Sequence, residues 1–83
     1  MKFDEAQELI IEEYIKATNK FPSMYSAHDG YAIILEELDE LWSSVKLHGN
    51  PITATESNTI RKAIKVDGVR VGAMALRFLV DCC

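Results

Sequence analysis

From Ala27 to His48 the apolar residues recur every three or four positions, at Tyr31, Ile34, Leu35, Leu38, Leu41, Trp42 and Val45. That spacing follows the 3.6-residue turn of an α-helix and not the two-residue alternation of a strand. Ser26 is placed to cap the N-terminus, with Asp29 three residues on. Lys46 and His48 complement the helix dipole at the other end, and Gly49-Asn50-Pro51 reads as the stop. A second stripe, Phe3, Ala6, Ile10, Tyr14 and Ala17 flanked by Leu9 and Ile11, predicts a helix from about Phe3 to Thr18. Asn19 and Phe21-Pro22 close it. Thr53-Ala54-Thr55-Glu56 fits a capping box and opens a third helical stretch that continues to about Val80. Gly68 and Gly72 interrupt it, each costing about 1 kcal/mol relative to alanine, so the stretch is either one long helix or two broken near Asp67-Gly68. Gly72-Ala73-Met74-Ala75 carries little bulk and lets a neighbouring helix approach closely. With no hairpin signal, repeat or low-complexity stretch, the expected class is all-α, a single domain over residues 1–83.

Three helices of this kind carry more apolar surface than one short chain can cover. A chain of 83 residues is too short for a multidomain enzyme and buries only roughly 60–65% of its unfolded surface. Cys82 and Cys83 are adjacent, so they close no loop, and two ligands do not make a structural zinc site. They read as terminal thiols in a reducing cytoplasm. Oligomerisation is the remaining source of stability. Trp42, Phe78 and the stripe of the first helix are expected to be buried against a second copy, a symmetric homodimer being the simplest closure and a homotetramer the next.

Nine basic against thirteen acidic residues give a net charge of −4, unlike the basic footprint of a protein that binds a nucleic-acid polymer. Met1 to Glu5 lacks the apolar core of a signal peptide, and the longest strictly apolar run, Tyr31 to Leu35, is far too short to span a membrane. A soluble, cytoplasmic protein is expected.

The chemistry is concentrated in Leu35-Glu36-Glu37-Leu38-Asp39-Glu40-Leu41-Trp42, where four carboxylates fall within five residues. Glu37 and Glu40 share a face, as do Glu36 and Glu40. Like charges at such spacings cost roughly 0.2–0.5 kcal/mol per pair. The nearest base on this helix downstream is Lys46. Two readings stand: a solvated acidic face, or glutamates that converge with a third carboxylate on a hard divalent cation such as Mg²⁺. With Leu38 taken as the core direction, Glu37 lies about 100° to one side, at the edge of the packed face, while Glu36 and Glu40 point nearly away. Asp67, alone among Val66, Val69 and Val71, faces solvent, caps a helix restart, or completes a metal site with Glu37 and Glu40. His28, His48, Tyr25 and Tyr31 read as capping or packing residues.

The segment His28 to Lys46 resembles the second helix of small MazG-like nucleotide pyrophosphohydrolases, and Val71-Gly72-Ala73-Met74-Ala75-Leu76-Arg77-Phe78 resembles their last helix. With Phe21-Pro22, the likeness covers most of the chain after about residue 20. The family's signature is an E-x-x-E pair on one helix and an E-x-x-D pair on a later one. The first matches as Glu37-Leu38-Asp39-Glu40; the second falls at Asp67-Gly68-Val69-Arg70, where Asp67 stands for the glutamate and Arg70 departs from the expected aspartate. The resemblance implies a three-to-four-helix bundle of the all-α NTP pyrophosphatase type, completed by homo-oligomerisation. It implies cleavage of a nucleoside triphosphate between its α- and β-phosphates, releasing monophosphate and pyrophosphate, with Mg²⁺ or Mn²⁺ as cofactor. Glu37, Glu40 and Asp67 would hold metal, Glu36 would position water as a base, and Lys46, Arg61, Lys65 and Arg70 are candidate phosphate contacts. Trp42 would stack on a base or pack in a core or dimer interface. Two other readings remain beside it. Arg70 in place of an acid suggests a catalytically weakened relative that binds nucleotide or metal. The short chain and incomplete motif suggest a helical dimerisation or adaptor module without enzymatic activity.

Overall fold

The computed structural model describes residues 1–50 and 53–83. It holds three helices: α1 (Phe3–Lys20), α2 (Ala27–His48) and α3 (Ala54–Cys82). The described residues are all-helical, as the periodicity predicts. None of these helices is long and apolar enough to cross a membrane.

Local chemistry accounts for the ends. Ser26 Oγ accepts from the Asp29 N–H and Thr53 Oγ1 from the Glu56 N–H, so both predicted N-caps form. The Asp29 carboxylate reaches the N–H of Tyr25, one residue before the cap, instead of completing a reciprocal box at Ser26. α1 runs past Thr18, whose hydroxyl turns back onto the Ile15 carbonyl inside the helix. It ends at Phe21, which is extended (φ −121°, ψ 150°), because the ring of a following proline disfavours the helical conformation. Pro51, read as part of the stop after α2, lies outside the described residues. α3 is one unbroken helix through Gly68 and Gly72, with no glycine at positive φ. Asp67 therefore caps no restart; it sits in mid-helix.

α3 is the spine. Its 29 residues, at about 1.5 Å each, account for the 43 Å long axis of the molecule. α1 and α2 both pack against α3 and not against each other. The expected close approach occurs at Gly72, where an added Cβ would lie 2.9 Å from Ile10 Cδ1 of α1. Gly68 faces open space.

The buried apolar residues are Ala17, Met24, Ala73 and Met74, fringed by Tyr14, Ile33, Ile34, Phe78 and Cys82. Phe78 is thus already used within the chain, against Gly30 of α2, where an added Cβ would come within 2.6 Å of its ring. Tyr25 and Tyr31, read as packing residues, are exposed because neither lies on a helix face turned to α3.

The rotation of α2 differs from the expected one. Leu38 is 46% exposed, whereas Gly30, Ile34, Glu37, Leu41 and Ser44 form the face turned toward α3. Two pins set this rotation. Gly30 admits Phe78 at one end, and Ser44 Oγ donates a 2.7 Å hydrogen bond to Asp67 Oδ2 at the other. Gly30, Glu37 and Ser44 are spaced by seven residues, two turns apart, so they share one line along the helix. Glu37 consequently sits midway on the packed face and not at its edge. The larger apolar residues Tyr31, Leu35, Leu38, Trp42 and Val45 form a parallel stripe, one residue along, left exposed.

Candidate functional site

Because α1 and α2 stand apart on α3, a cleft of about 570 Å³ opens between them. Its walls are Glu13, Lys16, Ala17 and Lys20 of α1, the connection Phe21–Met24, and Asp29, Ile33, Glu36 and Glu37 of α2; Arg70, Met74 and Arg77 of α3 form the floor. The volume lies in the range of small-molecule sites, although the lining is more heavily charged than is usual for them.

Glu37 brings a perturbed carboxyl to the cleft wall. Burial pushes its carboxyl above the ordinary 4.5, and the adjacent Glu40 pushes it the same way. Arg70 pulls it down, and Asp67 adds a further upward push. Its Oε2 is buried and has no hydrogen-bond partner among the described residues. A buried carboxylate oxygen without a donor is costly to keep ionised, in agreement with the upward shift of this carboxyl.

The predicted residues separate. Glu36, Glu37 and Arg70 line the cleft; Glu40, Asp67, Lys46 and Trp42 do not. Asp67 is buried behind Glu37, with Oδ2 taken by Ser44. Arg70 Nε lies 3.7 Å from Glu13 Oε1, and Glu13 Oε2 is also 3.6 Å from Lys16 Nζ. Lys65 pairs with Glu5 across α1 and α3, away from the cleft walls. Trp42 and Lys46 are on the exposed face of α2, with Lys46 Nζ 5.7 Å from the indole centroid. Among the described residues, no group of three or more His, Cys, Asp or Glu side chains is gathered to hold a metal ion by itself.

The sequence reading missed Glu13, Lys16, Lys20 and Arg77. The first three recur at intervals of three and four on α1, a legible polar face. Arg77 is the lone charge between Val71 and Val80, so burying this segment on its apolar side can carry the guanidinium in with it.

Comparison with models of known protein families, with curated proteins and with solved structures finds no match to this chain.

Proposed function

We propose that this chain is a divalent-metal-dependent nucleoside triphosphate pyrophosphohydrolase of MazG-like type, releasing monophosphate and pyrophosphate. The observation that carries the reading is the Glu37 carboxyl: half-buried in a nucleotide-sized cleft, coupled to Glu40, and holding one oxygen without a donor. The donor set fits Mg²⁺ or Mn²⁺ in one particular way. Mg²⁺ is commonly held by one or two carboxylates and completed by substrate phosphates and water, so a closed three-carboxylate cage is not required. Glu37 and Glu40 would hold the ion, with Asp67 supplying negative charge from behind. The ion, when bound, would neutralise charge developing on the phosphates. Glu36, exposed on the cleft wall, would position water as a base, and Arg70 lines the same space with a positive charge. Assembly as a homodimer or homotetramer over the exposed α2 stripe, and a place in the cytoplasm, belong to the same reading.

The test is pyrophosphate release from a panel of nucleoside triphosphates with Mg²⁺ or Mn²⁺. Metal-dependent release by the wild type, lost in Glu37→Gln with the helical circular dichroism unchanged, is expected. No release from any triphosphate would overturn the enzymatic reading.

A specific observation favours a second reading, a weakened relative that binds without turnover. Arg70 brings a positive charge to the acidic cluster and is partnered by Glu13. Binding of a non-hydrolysable triphosphate with Mn²⁺, without release from the natural substrates, would select it. A third reading, the adaptor module, draws on the exposed α2 stripe and requires no saturable metal site.

A further inference from the structure

The cleft carries four cations and four carboxylates, but they do not neutralise each other evenly. Glu13 is shared by Lys16 and Arg70, and the Asp29 carboxylate is engaged by the Tyr25 N–H. Lys20 and Arg77 pair with no carboxylate among the described residues; Lys20 Nζ rests 5.2 Å from the Phe21 ring centroid. Arg77 is the sharper case, because it is only 3% exposed. Its Nη2 donates to the Pro22 carbonyl at 2.8 Å, and its Nη1 reaches only the Met74 sulfur at 3.6 Å, a weak acceptor. Its Nε has no partner among the described residues. Asp81, four residues on, has one carboxylate oxygen accepting from the Met24 N–H and makes no ion pair with Arg77. A guanidinium removed from water is ordinarily paired, because an uncompensated buried charge is strongly unfavourable.

We propose that Arg77, Lys20 and Lys16 form an anion subsite at the Phe21–Met24 end of the cleft, built for a phosphoryl group. Two cations without carboxylate partners match one dianion, and an arginine fork suits tetrahedral oxyanions. The subsite is separate from the acidic cluster: Asp67 and Arg77 are ten residues apart on α3, about 15 Å along its axis. Its ligating groups are cations, with Lys16 also touching Glu13, and it needs no divalent ion, so it goes beyond the hydrolase reading.

The experiment uses the full chain in EDTA, titrated with inorganic phosphate and with pyrophosphate by calorimetry. In parallel, the arginine Nε–H signals are followed by nuclear magnetic resonance. The chain has three arginines, Arg61, Arg70 and Arg77, so each signal is assignable by substitution. Saturable binding that moves the Arg77 signal is expected. Lys20→Ala, an exposed change that leaves the packing intact, should weaken binding at least about tenfold, the effect of one lost charge-assisted contact. Arg77→Lys should abolish the response if it folds; if it does not, Lys20→Ala and the Arg77 signal decide. Absent binding in the wild type, or binding that leaves both unchanged, would overturn the proposal. Equal competition by acetate or succinate would overturn the phosphoryl assignment in favour of a carboxylate site. Turnover with metal is a separate assay, so loss of the hydrolase reading and loss of this subsite are distinguishable.

Discussion

Ser44 Oγ and Asp67 Oδ2, 2.7 Å apart, tie α2 to α3 seven residues beyond Glu37. Asp67 is buried, and Ser44 is the hydrogen-bond donor to its side chain. Ser44→Ala is therefore expected to destabilise the protein by about 1–3 kcal/mol, the cost of stranding a buried acceptor. Urea unfolding checks this; a midpoint unchanged from wild type would mean that Asp67 is satisfied without Ser44.

Glu37 gives a pH-dependent prediction with a definite sign. Its carboxyl is raised in the folded state, so the fold binds that proton more tightly than the unfolded chain does. Its ionisation opposes folding: the penalty is absent below the unfolded value near 4.5, grows as pH rises through the folded pKa, and is constant above it. Glu37→Gln should then stabilise at pH 7 by a few tenths of a kcal/mol, the scale of one like-charge pair on a helix, while removing metal-dependent turnover. Thermal melts at pH 4 and pH 7 test it: the gain should appear only at the higher pH. A gain equal at both would assign it to something other than the charge.

Two glycines should respond in opposite directions. Gly68→Ala adds a methyl to open space in mid-helix and should stabilise by about 0.5–1 kcal/mol. Gly30→Ala drives a Cβ to 2.6 Å from the Phe78 ring and should cost about 1–3 kcal/mol by overpacking. Denaturant midpoints of the pair, measured side by side, decide whether α2 rests on α3 as described.

The exposed stripe on α2 has coiled-coil spacing, alternating four and three from Tyr31 to Val45. If a second copy covers it, Leu38→Lys should turn an oligomer into a monomer by light scattering, and Trp42 fluorescence should shift to the red. A wild type that is monomeric at the highest attainable concentration would refute that covering.

Arg70→Asp removes the cation that draws the Glu37 carboxyl down and places an acid beside Glu13. Tighter Mn²⁺ binding by calorimetry is expected. Unchanged or weaker binding would mean that position 70 does not face the ion.

The three helices, both N-caps and the close approach at Gly72 were legible in the sequence because each is set by neighbours within a turn or two. The rotation of α2 was not. Two stripes one residue apart compete for the core, and the one with the larger apolar side chains is the one left outside. The choice is made by Gly30 against Phe78 and Ser44 against Asp67, contacts between residues 48 and 23 positions apart. Glu37 was legible as a candidate from its spacing with Glu40, but its place on the packed face was not. Arg77 is hidden in a segment whose pattern is dominated by small and apolar side chains, and Lys16 and Lys20 lie outside the apolar stripe that defines α1.

The lack of direct packing between α1 and α2 has a consequence for how the cleft keeps its width. Its two walls are braced through α3 and not by each other. Whatever bends or shifts that one helix moves both walls at once, so a substitution in α3 far from the cleft lining can still change what the cleft admits.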